Sequence, residues 1–269
     1  MFRQRAIISL TLGPLALLII YFGGWPYFLI VLLLMLLAMQ EYVNMLRQLG
    51  WFLSLPVLLT AVLLQMISAR WLPFGWAELT LAFNLLMVLS VVLWQYERRN
   101  LEKAAASLLA MGFGVLLVGW FGSHFLRLRA LPELGFQWTI VAMVGTWAAD
   151  VGAYLIGRFL AGNLLGRHHF SARLSPKKTV EGFVGGILFG LMFTIGVGLA
   201  LDIAILPLSI FALVVSFVSP IGDLGVSLLK REAGVKDSGQ IFPGHGGVLD
   251  RVDTLLWTVT FAYFIALLS

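Results

Sequence analysis

Residues 26–46, PYFLIVLLLMLLAMQEYVNML, form the apolar run whose length decides the fold. A helix needs about 20 mostly apolar residues to cross the hydrocarbon layer of a bilayer. Working outward, similar runs separate at polar breaks: 6–22, 52–69, 79–95, 104–121, 138–160, 180–201, 206–229 and 253–268. The first contains Gly13-Pro14 and begins like a signal peptide, with Arg3 and Arg5 ahead of it. No small-x-small cleavage site follows, so it reads as an uncleaved span. The expectation is an all-α, polytopic integral membrane protein with about nine transmembrane helices. Composition agrees, since the 269 residues are 60% hydrophobic and only 12% charged, against roughly 25% charged in soluble domains. The mean hydropathy is +0.96. A soluble enzyme, a disordered chain and a DNA-binding module are excluded.

Charge tests the span count. With nine spans and a cytoplasmic N-terminus, 15 of the 18 Lys and Arg residues fall on the cytoplasmic side. Only Arg70, Arg127 and Arg129 fall opposite. A wrong count in the middle would scramble this parity, so the split supports both count and orientation. The pI near 9.7 is then mostly topology and lipid head-group anchoring, and no nucleic-acid partner is implied. Tryptophans such as Trp25, Trp51, Trp71, Trp76 and Trp94 cluster at the proposed ends, where indoles favour the interface.

Two segments differ from the rest. Residues 158–186 read RFLAGNLLGRHHFSARLSPKKTVEGFVGG, and residues 219–253 read SPIGDLGVSLLKREAGVKDSGQIFPGHGGVLDRVD. Together they hold nine of the cytoplasmic cations and six carboxylates: Glu181, Asp223, Glu232, Asp237, Asp250 and Asp253. Asp150 and Asp223 also lie inside proposed spans, where an ionised carboxylate costs several kcal/mol unless it meets a cavity, a partner or a metal. Asp223, Ser227, Lys230 and Arg231, spaced i, i+4, i+7, i+8, share one helical stripe. Asp250 and Asp253 share a face at the start of the last helix. Carboxylates beside Lys and Arg suit a phosphate–magnesium complex. Cysteine is absent, so any metal is held by oxygen or imidazole.

Smaller features are weaker alone. Gly244-His245-Gly246-Gly247 before a helix lets backbone N–H groups approach an anion, although such a loop is often a plain turn. A lone loop His245 is more often a spacer than a base. His168-His169 reads as a solvated pair. Ser175-Pro176-Lys177-Lys178-Thr179, followed by Glu181, opens the seventh span, where two lysines oppose the helix dipole unless an anion is held there; positive-inside anchoring is the plain alternative.

Residues 227–253 resemble the signature of the phosphatidate cytidylyltransferases, or CDP-diacylglycerol synthases. The match runs through Ser227, Leu229, Lys230-Arg231, Lys236-Asp237, Gly239, Phe242-Pro243, His245-Gly246-Gly247, Val248, Asp250-Arg251, Val252 and Asp253 without departure. Asp150, Tyr154 and Ser175–Thr179 with Glu181 also look like the family. The resemblance covers about the last 120 residues; residues 1–138 match only as generic spans.

The resemblance implies transfer of the cytidylyl group of CTP to phosphatidate, giving CDP-diacylglycerol and pyrophosphate. It implies magnesium and, as a further proposal, a monovalent cation (potassium). By analogy Asp223 and Asp250 bind the metal, with Asp253 an additional ligand. Lys230, Arg231, Lys236 and Arg251 hold phosphates. Ser175, Lys177, Lys178, Ser227, Asp237 and His245 belong to the substrate pocket, Gly246 and Gly247 admit phosphate to the backbone, and Asp150 and Glu181 support. Residues 1–137 are expected to form a lipid entrance or a homodimer interface. Residues 138–269, with loops 158–181 and 230–252, are expected to be catalytic. The expected location is a bacterial cytoplasmic (inner) membrane with the site facing the cytoplasm. A CTP-dependent polyprenol kinase or archaeal-type lipid cytidylyltransferase is the nearest rival, and a transporter with an anion gate the more distant one. The absence of internal repeats speaks against the transporter.

Overall fold

The computed structural model describes residues 2–73, 75–160, 168–241 and 246–269, with side chains from Thr11 onward. Its helices are α1 (Phe2–Phe22), α2 (Gly24–Leu46), α3 (Leu55–Trp71), α4 (Trp76–Arg99), α5 (Ala104–Gly114), α6 (Phe121–Arg129), α7 (Gly135–Leu155), α8 (Val180–Ala200), α9 (Ile205–Glu232) and α10 (Leu249–Leu267). A wider π-helical turn, Val115–Trp120, joins α5 and α6 into one rod, and another, Ile156–Leu160, extends α7. Each expected span therefore coincides with a helical rod among the described residues. Gly24–Leu49, Trp76–Arg99, Ala104–Arg129, Gly135–Leu160, Val180–Ala200 and Ile205–Glu232 are long and apolar enough to cross a membrane. Thr11–Phe22 and Leu55–Trp71 are shorter apolar helices. The chain is an all-α polytopic membrane protein, and among the described residues the helices are accompanied by one small hairpin.

That hairpin departs from expectation. His169–Ser171 (β1) pairs antiparallel with Ser175–Thr179 (β2). Ser175-Pro176-Lys177-Lys178-Thr179 therefore precedes α8 as a strand and does not form its first turn. The helix starts where Thr179, in extended backbone, accepts a hydrogen bond from the Gly182 N–H at 3.0 Å. Capping by a Thr hydroxyl satisfies one of the orphan donors of a helix start. The last helix also begins earlier than expected, at Leu249 and not at 253.

The chain forms two compact units. Unit 1 comprises Met1–Arg127 and Leu229–Arg251, and unit 2 comprises Leu128–Leu228 and Val252–Ser269. The motif-rich segment 229–251 thus packs with the N-terminal helices, a different division from the cut at 137/138.

In unit 1, buried Met35, Met39, Leu58, Val62, Met66 and Met111 build the core. Several buried donors inside it reach backbone carbonyls, as hydrocarbon requires. Tyr42 donates to the Ala110 carbonyl at 2.7 Å, and Gln65 and Asn84 bridge α3 and α4 through the Ala77 and Ala61 carbonyls. The opposite side of α4 presents Leu79, Phe83 and Leu86 as an exposed apolar stripe, fit for lipid.

Unit 2 is organised by α7 against α8. Gly182, Gly186, Gly190, Thr194 and Gly198 recur every fourth residue on α8 and are all buried. A Cβ at Gly182 would stand 2.8 Å from the Ala153 carbonyl, and one at Gly186 3.1 Å from that of Ala149. Small residues let the backbones touch, which drives helix association where lipid removes the hydrophobic drive. Phe170 stacks on Phe183 with ring centroids 4.9 Å apart, fixing the hairpin on α8.

Candidate active site

Two polar clusters stand out, one in each unit. In unit 2, α9 carries Asp223 and Ser227 one turn apart, and the Ser227 hydroxyl donates to Asp223 Oδ1 at 3.5 Å. The first two residues of the expected stripe, Asp223 and Ser227, are thus in contact. Asp223 Oδ2 also meets Lys178 Nζ at 2.5 Å. Lys178 extends from β2, and its ammonium reaches the Pro220 carbonyl at 3.4 Å. Both partners are about one-third exposed (28% for Lys178 and 33% for Asp223), so solvent reaches the pair. Nearby in sequence, Ser219 donates to Asp150 Oδ1 at 3.2 Å, linking α9 to α7.

In unit 1, Lys230 and Asp250 form the corresponding pair. Lys230 Nζ lies 2.6 Å from Asp250 Oδ1, with side chains 11% and 6% exposed. Asp250 Oδ2 accepts the Ser238 N–H at 2.8 Å, the Ser238 hydroxyl at 3.0 Å and the Gly247 N–H at 3.0 Å. Asp250 precedes the apolar run of α10. Burial pushes its carboxyl up, but the Lys230 ammonium and the Gly247 and Ser238 N–H groups outweigh burial and hold it below the usual carboxylate range.

A second carboxylate joins this cluster. Glu41, on α2, is 7% exposed. It accepts the Ser238 hydroxyl on Oε2 at 2.9 Å, the Val248 N–H on Oε1 at 2.9 Å and the Leu249 N–H on Oε2 at 2.9 Å. Gly239 and Gly247 both lack a Cβ where Glu41 passes, and a Cβ on either would overlap its carboxylate. Sequence reading missed this residue. The signal was available: an acid inside the proposed span 26–46, the criterion that singled out Asp150 and Asp223.

The remaining expected residues fall as follows. Arg231, Lys236, Asp237, Arg251 and Lys177 are exposed, and Ser175 is half-buried. Arg231 donates to the Val235 carbonyl at 3.4 Å. Glu181 pairs with His168 at 2.5 Å, so it braces the hairpin base against α8. His168 therefore has a carboxylate partner, and His169 Nδ1 contacts the Pro176 carbonyl at 3.0 Å. Asp253 is buried, and its Oδ1 accepts the Thr254 N–H at 2.8 Å. Gly246 has φ +81°, and a Cβ there would overlap Asp250 Oδ2. His245 lies outside the described residues. The Gly247 N–H, expected to face phosphate, is engaged by Asp250, and the Val248 and Leu249 N–H groups by Glu41. The glycines here make room for carboxylates.

The donor chemistry fits a hard divalent cation, being carboxylate and hydroxyl oxygen without sulfur. A carboxylate offers about four acceptor positions. Asp223 uses two of them on Lys178 and Ser227. Asp250 Oδ2 accepts the Ser238 and Gly247 N–H groups and shares the Ser238 hydroxyl with Glu41, while Oδ1 faces Lys230. Asp223 and Asp250 Oδ1 thus retain capacity for a metal. Within each unit, the described residues hold no group of three His, Asp or Glu side chains placed to share one.

Each unit thus carries a lysine-paired carboxylate on a scaffold of apolar helices. Comparison with known proteins assigns the class: the pattern of the cytidylyltransferase family matches residues 3–268, and the chain belongs to that family. It is similar to the phosphatidate cytidylyltransferase of Staphylococcus saprophyticus, 34% identical over 239 residues, 88% of each chain. It is similar to that of Synechocystis, 33% identical over 296 residues, 98% of this chain and 96% of the other. To that of Bacillus subtilis it is 31% identical over 271 residues, 98% and 97% of the two chains. The similarity extends through the N-terminal helices, which sequence reading matched only generically.

Proposed function

We propose that this enzyme transfers the cytidylyl group of CTP to phosphatidate, giving CDP-diacylglycerol and pyrophosphate for phospholipid synthesis. The observation that carries the reading is similarity to phosphatidate cytidylyltransferases over nearly the whole chain. A phosphate oxygen of phosphatidate attacks the α-phosphorus of CTP in line. The new P–O bond forms as the bond to the β-phosphate bridging oxygen breaks, and pyrophosphate leaves. No protein nucleophile is required.

Positioning and charge neutralisation carry such a transfer. Asp223 and Asp250 are assigned to hold magnesium, with Asp253 as an additional carboxylate. Magnesium, when bound, supplies charge neutralisation to the triphosphate. Lys178 and Lys230 each place an ammonium beside one of these carboxylates, where it would add positive charge for a substrate phosphate. Arg231, Lys236, Arg251 and Lys177 are exposed cations suited to collecting the two polyanions, and Ser175 and Ser227 offer hydroxyls. With nine spans and a cytoplasmic N-terminus, these residues face the cytoplasm, where CTP is found, from the bacterial inner membrane.

The test is incubation of purified protein with phosphatidate, magnesium and each of the four common ribonucleoside triphosphates. CTP should be the substrate. Asp223→Asn should remain in the membrane and lose the magnesium-dependent transfer. Wild-type turnover by Asp223→Asn in detergent would overturn the metal assignment.

A further inference from the structure

The expected catalytic loop is tied to an N-terminal helix by one side chain. Glu41 sits 197 residues before Ser238 and 208 before Leu249, yet it bonds both. Its three donors lie on either side of residues 239–246: the Ser238 hydroxyl before them, the Val248 and Leu249 N–H groups after them. The Ser238 hydroxyl touches both Glu41 Oε2 and Asp250 Oδ2. Glu41 therefore ties Ser238 to the start of α10 and, through Ser238, bears on the Asp250 carboxylate.

The chemistry of the contact is specific to a carboxylate. All three partners donate, so an acceptor-only group is required. Two of them are free N–H groups at the start of α10, where an anion is favoured by the helix dipole. An amide at this position would turn an NH₂ toward an N–H donor. Burial adds weight, because a buried charge persists only when its hydrogen bonds are made. The absence of a Cβ at Gly239 and Gly247 is a second, independent sign of a built contact.

We infer that Glu41 is a positioning residue for the transfer reaction: it holds Ser238, Val248 and Leu249 in place and orients Asp250 without touching substrate. This rests on the proposed cytidylyl transfer for its kinetic consequence, but not for its structural one. Residues that orient a metal-binding carboxylate change metal affinity or activity by about 10–100-fold when removed.

The experiment compares wild type, Glu41→Gln and Glu41→Asp, each purified in detergent. Hydrogen exchange reads the loop without reference to any reaction. In Glu41→Gln the Val248 and Leu249 amides, each losing a charge-assisted hydrogen bond, should exchange about 10–100-fold faster, with α3 and α4 protected as in wild type. The apparent magnesium constant for transfer from CTP should rise by a similar factor, while KM for phosphatidate stays within about twofold. Glu41→Asp keeps the charge and should recover part of both losses. Wild-type exchange and kinetics in Glu41→Gln would overturn the inference. Loss of protection throughout unit 1 would overturn it as well, because Glu41 would then hold the fold and not the loop. Glu41→Asp behaving no better than Glu41→Gln would remove the carboxylate from the argument. If the wild type itself does not transfer from CTP, the functional reading fails, and the exchange result still decides the role of Glu41.

Discussion

Gly247→Ala places one methyl group against the Glu41 carboxylate, and its cost follows from the geometry. The added Cβ would lie 2.5 Å from Glu41 Cδ and from Oε1, well inside van der Waals contact. Gly247 is not among the glycines with positive φ, so alanine meets no backbone strain there and the effect is steric. Overpacking costs about 1–3 kcal/mol. If Glu41 withdraws instead, it weakens charge-assisted bonds to Val248 and Leu249, worth about 1.5–3 kcal/mol each. A loss of about 2 kcal/mol is expected either way, which makes local opening of residues 247–249 about 30-fold more frequent. Hydrogen exchange measures this opening directly. Glu41→Asp shortens the side chain and makes room, so the double variant should be better than the sum of its parts by at least about 0.5 kcal/mol. Gly225→Ala, with nothing within 4 Å of its added Cβ, should leave residues 247–249 unchanged. Strict additivity in the cycle, or a neutral Gly247→Ala, would refute the contact.

Other outcomes follow from the same reasoning. Gly152→Ala should lower the apparent Tm in detergent, because its Cβ meets the Gly185 carbonyl at 2.8 Å, whereas Gly196→Ala, with open space around it, should not. Thr179→Val keeps the shape but removes the acceptor for the Gly182 N–H, and should cost about 1 kcal/mol in thermal or denaturant stability. Asp250 has a lowered folded-state value, so its contribution is complete above the unfolded value of about 3.9 and is lost as pH falls through the lower one. Protection factors at Ser238 and Gly247 should therefore hold from pH 7 to 5 and fall only in stronger acid. A fall already near pH 6 would contradict that sign.

The fold was legible because hydrocarbon imposes a length. Six of the apolar runs became helices long and apolar enough to cross a membrane, since a run of about 20 residues between charged breaks admits few alternatives. The hairpin was not legible. β1 is three residues long and β2 contains Pro176, so neither carries a strand pattern, and the pairing depends on packing against Phe183. The stripe Asp223–Ser227 could be read from spacing alone, because a helix places i and i+4 together. Its lysine could not: Lys178 is 45 residues away, and only the fold brings it to Asp223. Glu41 was within reach of the intramembrane-carboxylate rule but sits six residues before Arg47, where an acid passes for an interfacial one. The Gly246-Gly247 pair was read as a phosphate cradle, whereas in the structure its space is filled by Asp250 and Glu41.

These particulars bear on what residues 1–137 do. The tie from Glu41 to the loop gives α2 a direct part in shaping the motif segment.

The most direct test of the account is the fate of label from CTP. Purified enzyme in detergent with phosphatidate and magnesium is given CTP labelled at either the α or the γ phosphate. The account predicts that α-label enters the lipid fraction and γ-label leaves as pyrophosphate. Label entering lipid only from the γ position would make the protein a kinase and contradict it.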